Sequence, residues 1–230
     1  MLRLLTRCVI LLLLTASTGY AADWVDLFDG KTLNGWHVTG GTCKYEVENG
    51  AIVGTTAEGS ANTFLCTDKE YGDFILEVEL KGDPELNSGI QIRSQEVKKE
   101  TVFWFLQRGK EVPRKRVLEP GHLYGYQVEI SIGGQGRSGF VYDEARRAFF
   151  LGDGPNVPNP PNHLKKNEWN TFKIECKGDA IKTWINGTPC ADFRDNLSAS
   201  GVIGLQVHGI KKGTGPYQIR FRNIRIKTLD

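Results

Sequence analysis

The sequence predicts an all-β protein, a jelly-roll sandwich of two curved antiparallel sheets. Turn signals recur at short intervals, as Asp29-Gly30, Asn34-Gly35, Asn49-Gly50, Lys177-Gly178-Asp179 and Asn186-Gly187. Between them lie short runs rich in Val, Ile, Phe, Tyr and Thr, residues that suit a pleated, half-buried surface. Helix signals are scarce, and the chain is too long for an immunoglobulin-like domain, which leaves the larger jelly roll as the better fit.

The elements follow in chain order. Lys44–Val47 and Ala51–Gly54 flank Asn49-Gly50, the dipeptide that best tolerates positive φ at both centres of a type I′ hairpin turn. Thr63–Cys66 and Phe74–Leu80 continue the pattern, Asn170–Cys176, Ala180–Ile185 and Thr188–Phe193 form a meander, and Ile219–Ile226 closes the chain. Two stretches break the rhythm. Gln95–Gly121 mixes Val102, Phe103, Phe105 and Leu106 with seven Lys and Arg side chains, and reads as a short amphipathic helix followed by a basic loop. Asp153–Lys166 carries Pro155, Pro158, Pro160 and Pro161, and reads as a long loop of the kind that forms lids.

Residues 1–22 have the pattern of a signal peptide. Arg3 and Arg7 flank an apolar run from Cys8 to Leu14, and Gly19–Ala22 supplies small residues for cleavage after Ala21 or Ala22. The run is too short to span a bilayer, so no stable membrane insertion is expected. Residues 23–230 remain as one domain, expected to be secreted or periplasmic. A formal charge of +2 is too near neutral to imply nucleic-acid binding. The sequence is silent on oligomeric state. Export permits disulfides among Cys43, Cys66, Cys176 and Cys190. Cys176 and Cys190 fall on the first and third meander strands, about 9–10 Å apart, so a different pairing or free thiols are expected.

Three segments alternate apolar and polar residues: Ile90–Arg93, Gln127–Ile130 and Leu205–His208. Successive strand side chains point to opposite faces. One face therefore receives Ile90, Ile92, Val128, Ile130, Leu205 and Val207. The other receives Gln91, Arg93, Gln127, Glu129, Gln206 and His208, a set that suits a polar ligand better than bulk water. Tyr142-Asp143-Glu144-Ala145-Arg146-Arg147 adds a second polar cluster, in which Arg–carboxylate pairs and a Tyr ring are apt for sugar hydroxyls.

A glycosidase of the two-carboxylate kind needs a second acid beside Glu129. Its own strand offers none, so Asp143 or Glu144 would have to reach in from elsewhere. No metal motif stands out among His37, His122, His163 and His208, although loop carboxylates near Asp143 or Asp153 leave room for Ca²⁺ or another divalent ion.

The motifs WVDLFDGKTLNGW at Trp24–Trp36, NSGIQIRS at Asn87–Ser94, GYQVEI at Gly125–Ile130, SGFVYDEARR at Ser138–Arg147 and EWNTFKIECKGDAIKTWING at Glu168–Gly187, with GVIGLQVHG and FRNIRIKTL after them, together resemble the 3-keto-disaccharide hydrolase domain family. The resemblance implies a concanavalin-like jelly roll, exported by bacteria and acting on oligosaccharides or glycosides already oxidised at C3. Many members carry Glu, Gln and Asp where this chain has Gln127, Glu129 and Ser131, an order that resembles a second subgroup. A C3 ketone acidifies the C2 proton, so one base and an oxyanion partner suffice for β-elimination, followed by hydration. On this reading His208 or Glu129 is the base and Arg93 stabilises the enolate oxygen. Gln91, Gln127 and Gln206 hold hydroxyls, and Tyr142 and Asp143 line the rim. Two rivals stand beside it, a noncatalytic carbohydrate-binding module and a glycoside hydrolase acting on unoxidised sugars. The former would use Trp36, Trp104, Trp169 or Trp184 as stacking platforms.

Overall fold

The computed structural model describes residues 23–105, 113–134, 136–152 and 162–229. The expected signal peptide and residues 153–161 of the proline-bearing loop, Asp153 among them, lie outside the described residues. Strands are numbered in chain order. The first sheet contains β1 (Val25–Asp26), β3 (Lys44–Glu48), β4 (Ala51–Thr55), β6 (Phe74–Gly82), β12 (Asn170–Lys177), β13 (Ala180–Ile185), β14 (Thr188–Arg194) and β16 (Gln218–Thr228). Its order is β14-β13-β12-β6-β16-β4-β3, with β1 also beside β16. The second sheet contains β2 (Trp36–Gly40), β5 (Thr63–Thr67), β7 (Asn87–Glu96), β10 (Leu123–Ser131), β11 (Val141–Glu144) and β15 (Val202–Val207). Its order is β11-β10-β7-β15-β5-β2. Every named pairing is antiparallel, and no helix occurs among the described residues. Asn49 and Gly50 have φ of 50° and 75°, and Asn186 and Gly187 have 51° and 81°, the positive pairs their hairpins require.

The core lies between the sheets. From β6 come Phe74, Leu76, Val78 and Leu80, and from the second sheet Ile90, Ile92, Val128, Ile130, Leu205 and Val207, all buried in one cluster. The apolar face read from the alternation is thus the core face. Outward-pointing Glu77 and Glu79 of β6 pair with Arg225 at 2.6 Å and Arg222 at 2.7 Å. Arg222 also covers Trp169, and Lys173 covers Trp184, so these rings belong to the outer face of the first sheet. Trp36 is buried, its Nε1–H donating to the Leu27 carbonyl.

Strict alternation fails once in β7. Arg93 takes a positive φ of 47°, and the register shifts on both sides, between Tyr124 and Tyr126 of β10 and between Val202 and Gly204 of β15. This bulge inserts one extra residue and turns Arg93 away from the face it would share with Gln91. The guanidinium is fully buried and donates from Nε to the Gly72 carbonyl, from one terminal nitrogen to the Gly178 carbonyl and from the other to Asp73, each at 2.7 Å. Asp73 also accepts from the Gly178 N–H. Arg93 is therefore a brace from the second sheet to two turns of the first, and the expected oxyanion role is corrected. Gly201 permits it, because a Cβ there would lie 2.4 Å from the Arg93 carbonyl carbon.

Within 95–121 the expected helix is replaced by a hairpin, β8 (Thr101–Phe105) paired with β9 (Arg114–Leu118), with residues 106–112 outside the described range. The apolar spacing there has a period of two rather than 3.6. Phe103 packs edge-on against Tyr124 at 4.8 Å and joins Val97, Leu118 and Ala145, while Trp104 on the opposite face is 68% exposed. Cys176 and Cys190 lie on strands separated by β13, and all four described cysteines are free thiols.

Removing Arg93 leaves Asp73 and two carbonyls without their cation. Arg93→Ala is expected to lower unfolding free energy by about 3–5 kcal/mol in urea titration; a loss below about 1 kcal/mol would refute the brace.

Candidate functional site

The cross-strand register arranges the outer face of the second sheet into rows. One row runs Tyr142, Gln127, Gln91, Gly204, Cys66 and His37, and the next runs Glu129, Gly89, Gln206, Phe64 and Thr39. Gly125 stands opposite Glu144. His208 follows the last residue of β15 and is partly exposed. Register and side-chain hydrogen bonds thus bring together five of the expected residues, Gln91, Gln127, Gln206, Glu129 and Tyr142, and His208 lies near enough for its charge to act on Glu129. They do not bring Arg93, for the reason above.

Asp143 is also elsewhere. On β11 the parity that turns Tyr142 outward turns Asp143 inward, opposite Tyr126. It is fully buried and held by Arg146 at 2.8 Å and by Arg147. Arg147 in turn pairs with Asp195 at 2.7 Å, and the Tyr126 hydroxyl donates to Asp195. Both carboxylate oxygens of Asp143 are taken by arginines, so it neither lines the rim nor offers a Ca²⁺ ligand. Glu144, two residues beyond Tyr142, occupies the ligand face instead.

The three glutamines form a buried chain. Ser94 Oγ donates to Gln91 Oε1 at 2.7 Å, Gln91 Nε2 to Gln127 Oε1 at 2.7 Å, and Gln206 Nε2 to the same oxygen at 2.9 Å. Gln127 Nε2 then donates to Glu129 Oε2 at 3.3 Å, and Asn87 donates to Glu129 Oε1. All three are buried, so the structure places them as positioning groups rather than hydroxyl-holding ones. Gln206 Oε1 is buried with no hydrogen-bond partner among the described residues. Gly89 makes the chain fit, because a Cβ there would meet Gln127 Cδ at 2.4 Å.

Two acids on this face have their proton affinity raised by burial. Burial raises Glu129 above the ordinary carboxyl range, against the opposing pull of Asn87, Gln127, His208 and Arg137. Burial pushes Glu144 up to about 7; Arg116 opposes this, and the charges of Glu129 and Asp143 add to it. Arg137 and Arg116 are therefore the cations whose fields reach the two acids. Burial also raises the Tyr142 hydroxyl. His208 donates Nδ1–H to the Gly209 carbonyl at 2.7 Å, which leaves Nε2 as the lone-pair nitrogen of the neutral ring. A desolvated acid, a neighbouring acid near pH 7 and an imidazole with a free lone pair can together remove and return protons.

Sequence reasoning missed Asn87, Ser94, Arg116 and Arg137, and named Glu144 only as an alternative to Asp143 for a second acid. Asn87 and Glu144 were within reach of the period-two rule, since each shares parity with residues already chosen. The arginines were not, because their placement depends on loops and on the β8–β9 hairpin.

The 3-keto-alpha-glucoside-1,2-lyase-like domain matches residues 23–227. A 3-keto-disaccharide hydrolase of Bacteroides thetaiotaomicron is 27% identical over 252 aligned positions, covering 91% of this chain and 80% of that protein. Among solved structures, a Parabacteroides distasonis protein provisionally classed as a glycosyl hydrolase aligns with a TM-score of 0.53 at 19% identity, covering 90% of this chain and 94% of its own. A Bacillus subtilis protein with a galectin-like fold aligns at 0.55 and 9% identity, covering 85% and 90%. The κ-carrageenase of Pseudoalteromonas carrageenovora aligns at 0.52 and 11% identity, covering 95% and 99%. These structures share the jelly-roll sandwich.

Two outcomes test the site's architecture. Gly89→Ala should displace the Gln127 amide and cost about 1–3 kcal/mol of stability, read by urea denaturation. Glu144 carries a folded pKa raised above its unfolded value, so its burial costs stability as pH rises from about 4.5 to about 7 and beyond. Glu144→Gln should therefore leave stability unchanged at pH 4 and raise it at pH 8 by on the order of 2 kcal/mol, read by denaturation at both pH values.

Proposed function

Because the chain belongs to the 3-keto-alpha-glucoside-1,2-lyase-like domain family, we propose that it cleaves the glycosidic bond of 3-keto-glycosides by elimination and hydration. The observation that carries the reading is a cluster of proton-carrying groups on one face: Glu129, buried and fixed by Gln127 and Asn87, His208 near enough for its charge to act on Glu129, and Glu144, which burial pushes up to about 7. A ketone at C3 makes the C2 hydrogen acidic, and Glu129 removes it, with His208 Nε2 as the adjoining acceptor. The electron pair forms a C1–C2 double bond as the C1–O bond breaks, and Glu144 gives its proton to the departing oxygen. Water then adds across the double bond: its oxygen bonds to C1 as Glu144 takes back a proton from it, and Glu129 returns its proton to C2, so both acids are restored and the net reaction consumes one water. Negative charge on the C3 oxygen during the first step requires a positive field, which Arg137 supplies in place of the displaced Arg93.

A second reading has a specific observation behind it. Glu144 joins Glu129 on one face, which removes the sequence-level objection that only one acid was present. A two-carboxylate hydrolase would use the pair on unoxidised sugars. The elimination route is preferred because it also uses His208 and because of the family to which the chain belongs. Export is proposed with it, supported by the Arg3–Ala22 pattern and by a family match that begins at residue 23.

Incubating the protein with a matched methyl glucoside and methyl 3-keto-glucoside should release methanol only from the ketone. Glu129→Gln and His208→Ala should each lower kcat by about 10²-fold or more. Release from the plain glucoside would favour the two-carboxylate reading. Release from neither, with retained glycan affinity, would mean a binding module, and full turnover in both variants would overturn the assigned roles.

A further inference from the structure

The outer face of the second sheet is not polar throughout. Phe64, Cys66, Leu123 and Val202 form a separate buried apolar cluster on it, outside the main core. Above this cluster opens a cavity of about 270 Å³ between the turn at Gly40, the segment Ala61–Asn62 and the loop Pro120–His122. Its walls include Phe64, Leu123, Pro120 and Ala61, with Glu144 at one end. Two other cavities differ in kind. They lie against the first sheet and are walled by charged side chains such as Glu77, Glu79 and Arg225, or Lys81, Arg220 and Arg222.

We propose that this cavity receives an apolar ring carried as the leaving-group half of the glycoside, so that the substrates include 3-keto-glycosides of aromatic or cycloaliphatic alcohols. The inference rests on the cleavage reading above and names the class of aglycone. Three observations support it. Glu144 belongs at once to the catalytic face and to the cavity wall, so a group seated there has its linking oxygen beside the acid that must protonate it. Phe64, Leu123, Pro120 and Ala61 make most of the side-chain wall apolar, with Asn62, His122 and Glu144 as its polar members, so a hydrocarbon ring covers that wall where a second hexose would set several hydroxyls against carbon. A dry cavity of about 150 Å³ already holds benzene, so this volume takes one ring with a short tether. Gly204 keeps the neighbouring floor low, since a Cβ there would approach Gln91 and Leu123 to 3.1 and 3.2 Å.

The test compares 2-phenylethyl and methyl 3-keto-glucosides of the same anomeric configuration, whose leaving alcohols have similar acidity. The wild-type kcat/KM should favour the phenylethyl compound by about tenfold or more. Ala61→Phe, at an exposed wall position, should fill the cavity and bring that ratio close to one; Phe64→Ala should reduce it from the opposite wall. Binding of free 2-phenylethanol, followed by NMR shift titration, should be seen in the wild type and lost in Ala61→Phe. Turnover with a ratio near one, or a ratio unchanged by both variants, would overturn the inference and leave the cleavage reading standing. No turnover of either glucoside would overturn the cleavage reading, while 2-phenylethanol binding that Ala61→Phe abolishes would still establish the cavity as an apolar-ring site.

Discussion

An extended chain must send successive side chains to opposite faces, and in the strand at the centre of the second sheet's polar face Arg93 breaks that rule. The bulge at Arg93 lets β7 serve three masters: Ile90 and Ile92 fill the core, Gln91 and Ser94 lie under the site, and Arg93 turns back to tie the sheets together. Without the extra residue, a guanidinium would sit among the glutamines and the Asp73–Gly178 corner would lack its donor. The cost of burying that charge is met by three hydrogen bonds to fixed acceptors, one of them ionised. Register on both neighbouring strands adjusts around it, so site geometry and inter-sheet packing come from one local irregularity.

The site itself is organised by amides rather than by charges. Gln127 accepts from two glutamines with one end and donates to Glu129 with the other, which fixes the direction of every hydrogen bond in the chain. Neutral amides can orient a carboxyl group without neutralising it. Glu129 therefore keeps an elevated proton affinity that a neighbouring arginine in direct contact would have removed. Asp143 with Arg146 and Arg147 lies behind the sheet and braces β11, while at the far edge of the outer face His37 pairs with Glu96 and, at 2.7 Å, with Asp68. Arg146 and Arg147 lie on the opposite face from Glu129 and Glu144, whose proton affinity burial raises.

Much of this was legible in the sequence because a β-strand has so simple a period. The meander Asn170–Arg194, the hairpin turns at Asn49 and Asn186, and the core face of β7, β10 and β15 follow from alternation and turn chemistry. Applying the same parity one step further along β11 would have chosen Glu144 over Asp143. Gln95–Gly121 was misread because charged residues interleaved with aromatics at short spacing fit either a helix or a twisted hairpin until a partner strand is known. The apolar walls of the cavity come from β5 and β10 and from the loops at 40, 61 and 120, positions distant in the chain.

Composition, turn dipeptides and period-two patterning were enough to specify an all-β sandwich and to nominate Gln91, Arg93, Gln127, Glu129, Gln206 and His208 as one face, from which the structure removes Arg93. Those features are local, and a strand's own backbone geometry enforces them. Which residue interrupts the alternation, which acid sits beside which cation, and whether a glutamine faces a ligand or another glutamine are properties of strand neighbours. Such neighbours are set by register between segments far apart in sequence, so Arg93 as a brace and Glu144 on the outer face were decided only when the sheets closed on each other.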